Sequence, residues 1–150
     1  MPAARSLLLA LALSACASPP EAPPPARPSL AVLLAQRHAD IPCAQLAVDA
    51  GGVDALRDAA ETVTMPPWAP LRAATCLAEL APERASAAAV RWVQQPERVG
   101  LGLAVLQVEA RLSPTDAQAL AEAALAGPRP DLARPILARS QRASLRALTP

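Results

Sequence analysis

The chain has 150 residues, with 14 basic and 13 acidic side chains and a net charge of +1. That near-balance excludes the excess of cations a nucleic-acid surface needs to displace phosphate counterions, and the length allows one domain with a modest core. Every basic residue is Arg, Phe and Tyr are absent, and Trp68 and Trp92 are the only aromatics. Ala, Leu and Val must therefore fill the interior, which requires helices to approach closely.

Met1 to Ser6 carries one cation, Arg5, and Leu7 to Leu13 (LLLALAL) is continuously apolar. Such a run is far shorter than the roughly 20 residues of a spanning helix and has the length of a signal-peptide apolar region. Leu13-Ser14-Ala15-Cys16 follows, an aliphatic residue and two small ones before a cysteine.

This tetrad resembles the lipobox of bacterial lipoproteins. The resemblance implies a signal peptide over 1–15, a diacylglyceryl (palmitate-type) chain on Cys16 and a membrane anchor. Ala17, where inner-membrane lipoproteins often carry Asp, implies the periplasmic face of the outer membrane. Each buried methylene of such an anchor contributes about 0.8 kcal/mol. Half of residues 17–28 (ASPPEAPPPARP) are Pro, so 16–28 reads as a lipidated Cys and an extended tether.

Residues 29–150 read as a helical domain punctuated by Pro and Gly. Ser29 is a candidate N-cap for a helix over Leu30 to Arg37. A second starts near Pro42 and runs through Cys43, Leu46 and Val48 to Gly51-Gly52. A third places Val53, Leu56, Ala60 and Val63 on one face. After Met65-Pro66-Pro67, a fourth over Ala69 to Leu80 directs Leu71, Ala74, Leu77, Ala78 and Ala81 inward. Pro82 opens a fifth with a stripe of Ala85, Ala88, Ala89 and Trp92. Pro96 opens a sixth, although Val99, Leu101, Leu103 and Val105 alternate like a strand. No second strand is available to satisfy the backbone of a lone one, so the segment is expected as helix, with Gly100 and Gly102 admitting a neighbour. Ser113 and Asp116 form a variant capping box for a seventh helix carrying Ala117, Leu120, Ala121 and Ala124. Asp131 is expected to cap a last helix reaching towards Leu148.

Three segments, Pro70 to Leu80, Pro96 to Leu106 and Pro130 to Ser140, each start on Pro and place Leu-Ala or its like seven residues on. They resemble the second helices of HEAT repeats, most closely at LRAATCLAEL (71–80). The expected fold is all-α: antiparallel helix pairs in a short HEAT-like α-solenoid, or an irregular helical bundle whose Ala-rich helices look alike.

Cys43 and Cys76 are expected to form a disulfide, as internal cysteines of exported proteins do; free buried thiols are the next reading. A redox pair lacks a Cys-x-x-Cys motif, and zinc with His38 and Asp40 lacks ligands. His38 as a general base has no nucleophile motif beside it, and a helix C-terminus explains it more cheaply. Trp68 is either a packed staple or a binding anchor. Arg139, Arg142 and Arg146 fall on one face of the expected last helix, with Arg134 nearby, and form a solvated face or a contact for anionic lipid or an acidic partner. The sequence predicts no cofactor, no metal and no catalytic residue. It points to an envelope lipoprotein acting as a binding or assembly module for another envelope protein, reminiscent of pilotins in architecture alone. An envelope enzyme or enzyme inhibitor, or a purely structural lipoprotein, are the alternatives.

Overall fold

The computed structural model describes residues 28–36 and 40–149. Among them every regular element is helical. Cys16, the tether before Pro28 and His38 lie outside the described residues.

The first helix, α1 (Leu30–Ala35), starts where Ser29 Oγ accepts the Val32 N–H, and it buries Leu33 and Leu34. The second, α2 (Cys43–Ala50), ends at Gly51, whose φ of 89° demands a residue without Cβ. Next come α3 (Val53–Thr62) and α4 (Trp68–Leu80). Only Ala81 separates α4 from α5 (Pro82–Trp92), which buries the expected stripe of Ala85, Ala88, Ala89 and Trp92. Then follow α6 (Val99–Gln107), a short 3₁₀ turn at Glu109–Arg111 and α7 (Pro114–Ala126). Ser113 Oγ accepts the Asp116 N–H at 3.1 Å and donates to its carboxylate at 2.6 Å, completing the predicted cap. The chain closes with α8 (Pro130–Ala138) and α9 (Ala143–Arg146).

Consecutive helices pair, α3 on α4, α5 on α6 and α7 on α8; α4, α6 and α8 also touch in succession, as do α5 and α7. One continuous core runs from Leu33 to Leu145, with Leu30 and Leu148 packed on its ends, so the body closes its own interior. Helix α6 lies at the centre, against α4, α5, α7 and α8. Seven of its nine residues are buried. That explains the misleading alternation: a helix apolar on every side shows no amphipathic period.

Four expectations need correction. Pro96 sits in a turn, and α6 starts three residues later at Val99. Gly102 admits α5, since a Cβ there would meet the Val93 side chain and lie 2.8 Å from Ala89 O, but one on Gly100 would meet open space. Leu71 is 38% exposed and Ala81 half-buried; the expected Ala74, Leu77 and Ala78 are buried, together with Ala69, Ala73 and Cys76. Finally, the last helix is two helices, broken between Arg139 and Arg142, and Asp131 sits in the first turn of α8 rather than capping it.

Candidate functional site

Trp68, Arg72 and Cys76 stand four residues apart on α4 and so share a face. All three hold the N-terminal hairpin. Trp68 Nε1 donates to Ala35 O at 3.2 Å. Arg72 donates to the carbonyls of Leu33 (3.4 Å), Gln36 (3.0 Å) and Ile41 (3.1 Å). Cys76 is disulfide-bonded to Cys43, with the Cα atoms 5.1 Å apart. Leu33 O also accepts the Gln36 N–H, while the last carbonyls of a helix otherwise lack helical donors; a guanidinium there also meets the negative end of the helix dipole. Trp68 is thus a staple whose ring is still about a third exposed (36%).

At the other end a carboxylate organises the chain. Glu109 is 7% exposed and Ser140 equally so. Ser140 Oγ donates to Glu109 Oε1, as does Gln141 N–H at 3.0 Å. Arg142 N–H donates to Ser140 Oγ at 3.0 Å, and its Nη2 reaches Glu109 O (2.9 Å) and Leu112 O (2.6 Å). Arg146 Nη1 donates to Ser140 O at 2.7 Å. This network breaks the expected last helix, because Ser140 and Gln141 turn towards Glu109 instead of continuing α8. Arg139, Arg142 and Arg146 therefore do not line one helix face. Arg139 is exposed at the end of α8, while Arg142 points inward and its Nη1 is buried without an acceptor among the described residues.

The remaining ion pairs are superficial. Asp54 meets Arg84 at 3.1 Å and Arg57 at 3.5 Å. A hydrogen bond to Asp58 raises the Arg57 pKa, and one between Arg129 and Asp131 raises that arginine's pKa and lowers the carboxyl's. Glu61 accepts from Trp92 Nε1 at 3.0 Å and lies 3.7 Å from Arg98, which orients the one buried indole.

Two clefts carry mixed linings. One, of about 400 Å³, lies between the ends of α6 and α8, walled by Leu106, Pro135 and Ile136, with Glu109, Arg139 and Ser140 as its polar groups. The other, of about 520 Å³, is walled by Val63, Pro67, Pro70, Leu71 and Leu101, with Glu61 and Arg98 at its mouth. Met65 (71% exposed), Trp68 and Leu71 extend apolar surface beside it. Among the described residues no three of His, Cys, Asp and Glu gather as a metal site, and no helix is long and apolar enough to cross a membrane.

Of the residues singled out in the sequence, the structure joins Cys43 to Cys76 and bonds Trp68 to Ala35 O at the end of α1. It separates the three arginines into different roles. Arg72, Glu109 and Ser140 were missed. Glu109 did carry a signal, as the lone carboxylate just beyond the most apolar helix. Comparison with known protein families, with curated proteins and with solved structures finds no match to this chain.

Proposed function

We propose that this chain is a lipid-anchored lipoprotein of the bacterial outer membrane, facing the periplasm, whose helical body is a non-catalytic protein-binding or assembly module. The anchoring rests on the Leu13-Ser14-Ala15-Cys16 tetrad, and the observation that supports export is the Cys43–Cys76 bond. Disulfides persist in oxidising compartments such as the periplasm, where a signal ending in Leu13-Ser14-Ala15-Cys16 would deliver the protein. The bond and the signal are independent features, and they agree on the compartment. The serial pairing of α3/α4, α5/α6 and α7/α8 supports a HEAT-like reading of the repeats.

The polar groups that converge, Glu109, Ser140 and Arg142, make their hydrogen bonds to backbone and to one another, Arg142 Nη1 excepted, which suits holding helices in place. The apolar surface of Met65, Trp68 and Leu71 beside a cleft has the character of a contact site and favours a binding module over a purely structural lipoprotein.

The anchor is tested by Cys16→Ser in a bacterial host fed a labelled fatty acid. Label is expected to be lost, and with it the membrane association that survives a high-salt wash; a variant that still carries label, or still pellets after the wash, refutes the anchor. The binding surface is tested by a photo-crosslinker at position 71 in intact cells, with exposed Val48 as the comparison site. One recurrent protein adduct at 71 and none at 48 is expected. Equal or absent adducts at both refute the surface.

A further inference from the structure

Arginines along the body are compensated in two ways, by carboxylates or, as with Arg91 on Ala87 O, by neutral carbonyls. Among the described residues, Arg57, Arg84, Arg98 and Arg129 each pair with a carboxylate. Arg111, Arg134, Arg139, Arg142 and Arg146 pair with none; where they bond, they bond neutral carbonyls. The carboxylates on adjoining elements are otherwise engaged, Glu109 by Ser140, Asp116 by Ser113 and Glu122 by Gln118. Four of the five arginines are exposed, Arg142 being half-buried. The hydrogen bonds of Arg142 to the 3₁₀ turn and of Arg146 to Ser140 gather Arg111, Arg139, Arg142 and Arg146 at one end of the fold.

We propose that this end, formed by the 3₁₀ turn, the end of α8 and α9, binds the headgroup plane of an anionic phospholipid membrane. Guanidinium groups match phosphate oxygens with paired donors, and a handful of clustered arginines is the size of patch that anionic leaflets attract. The partner argument is charge complementarity combined with reach, and reach rests on the anchoring reading above. Residues 17–28 span at most about 40 Å when extended, comparable with the width of a body this size. A tether of that length, joined to the body at α1, is long enough to let the cationic end reach the surface. The contact fixes which side of the body faces the membrane and leaves the apolar surface of Met65, Trp68 and Leu71 for another partner.

The test uses the unlipidated chain from residue 17, which contains the whole core, so its outcome is independent of whether Cys16 is acylated. Its helical circular dichroism is recorded first. Flotation is then measured with vesicles of phosphatidylcholine alone or containing one-third phosphatidylglycerol, at low and high salt. Binding is expected on the anionic vesicles at low salt and lost at high salt. The double variant R111E/R139E, which removes no side-chain hydrogen bond, is expected to weaken binding by at least about tenfold; R111K/R139K is expected to keep it. Equal binding to neutral vesicles, full binding by the Glu variant, or no binding to anionic vesicles overturns the proposal. So does competition by dilute inorganic phosphate at constant ionic strength, which marks a discrete anion pocket, or capture of polyglutamate by a protein that ignores vesicles, which marks an acidic protein partner.

Discussion

The two ends of the body solve one problem with different chemistry. Helix α1 has six residues and α9 four, too few to hold themselves by burial alone. Each end recruits an arginine from elsewhere in the chain to hold backbone carbonyls: Arg72 serves α1 and the following loop, and Arg142 serves the 3₁₀ turn. The N-terminal end adds a covalent bond between Cys43 and Cys76. The C-terminal end adds a buried carboxylate, Glu109, that takes two donors from the α8–α9 break. A disulfide acts largely on the unfolded chain, whereas a buried carboxylate acts through groups it would leave unpaired. The ends should therefore fail differently.

Removing the disulfide is the largest break. Replacing Cys43 and Cys76 together by Ala, across a sequence separation of 33, is expected to cost about 3–4 kcal/mol by chain entropy. Denaturant titration of native and variant protein reads the loss. Because the bond constrains the unfolded chain, hydrogen exchange should quicken at the slowest amides of every core helix, and quickening confined to residues 40–50 would break the contrast between the ends. Glu109→Ala comes next. It strands the part-buried Gln141 N–H and leaves the Ser140 hydroxyl only the longer bond to Arg142 O at 3.4 Å, at about 1–2 kcal/mol, with faster exchange confined to the segment after α8.

Arg72→Met sharpens the comparison at the N-terminal end. Three carbonyls lose a charged donor, but they lie near solvent, so a loss of about 1–2 kcal/mol is expected. Combined with the double Cys replacement, the loss should be non-additive, because both anchor the same hairpin. Combined with Glu109→Ala it should be additive, since the two anchors sit at opposite ends. Coupling between Arg72 and Glu109 would mean the body transmits strain end to end.

What the sequence made legible follows from the range of each interaction. The caps at Ser29 and Ser113, the stop at Gly51 and the stripe of α5 rest on residues within a turn or two of one another, and all were readable. The disulfide was readable because compartment and cysteine count constrain it without geometry. The break in the last helix was not, because its cause, Glu109, is 31 residues from Ser140 while the local pattern favoured continuation. Leu71 misled for a related reason. Helix α4 is apolar enough on two sides that only the positions of α3, α5 and α6 decide which one is buried. Gly100 and Gly102 looked equivalent in the sequence, and only the path of α5 past Ala89 and Val93 distinguishes them. Arg139, Arg142 and Arg146 were legible as an excess of charge; their division between surface and interior was not.

The smallest expected effect lies at the start of α8, away from its cationic end. Asp131 stands in the first turn of α8 and is hydrogen-bonded by Arg129 at 3.1 and 2.9 Å, which lowers its pKa from the ordinary 3.8. The folded state therefore favours the ionised form. Any stability this contributes is present at neutral pH, down to about the ordinary carboxylate value, and is lost as pH falls through the lowered one. Both groups face solvent, so the effect is small and salt should screen it. Asp131→Asn is expected to lower the melting temperature slightly at pH 7 and low salt, with no difference from the native protein well below pH 3.8. Glu109→Ala should behave oppositely towards salt, since its buried hydrogen bonds are shielded from mobile ions. If added salt erased both differences alike, Glu109 would be acting as a surface charge and the contrast drawn between the two ends would fail.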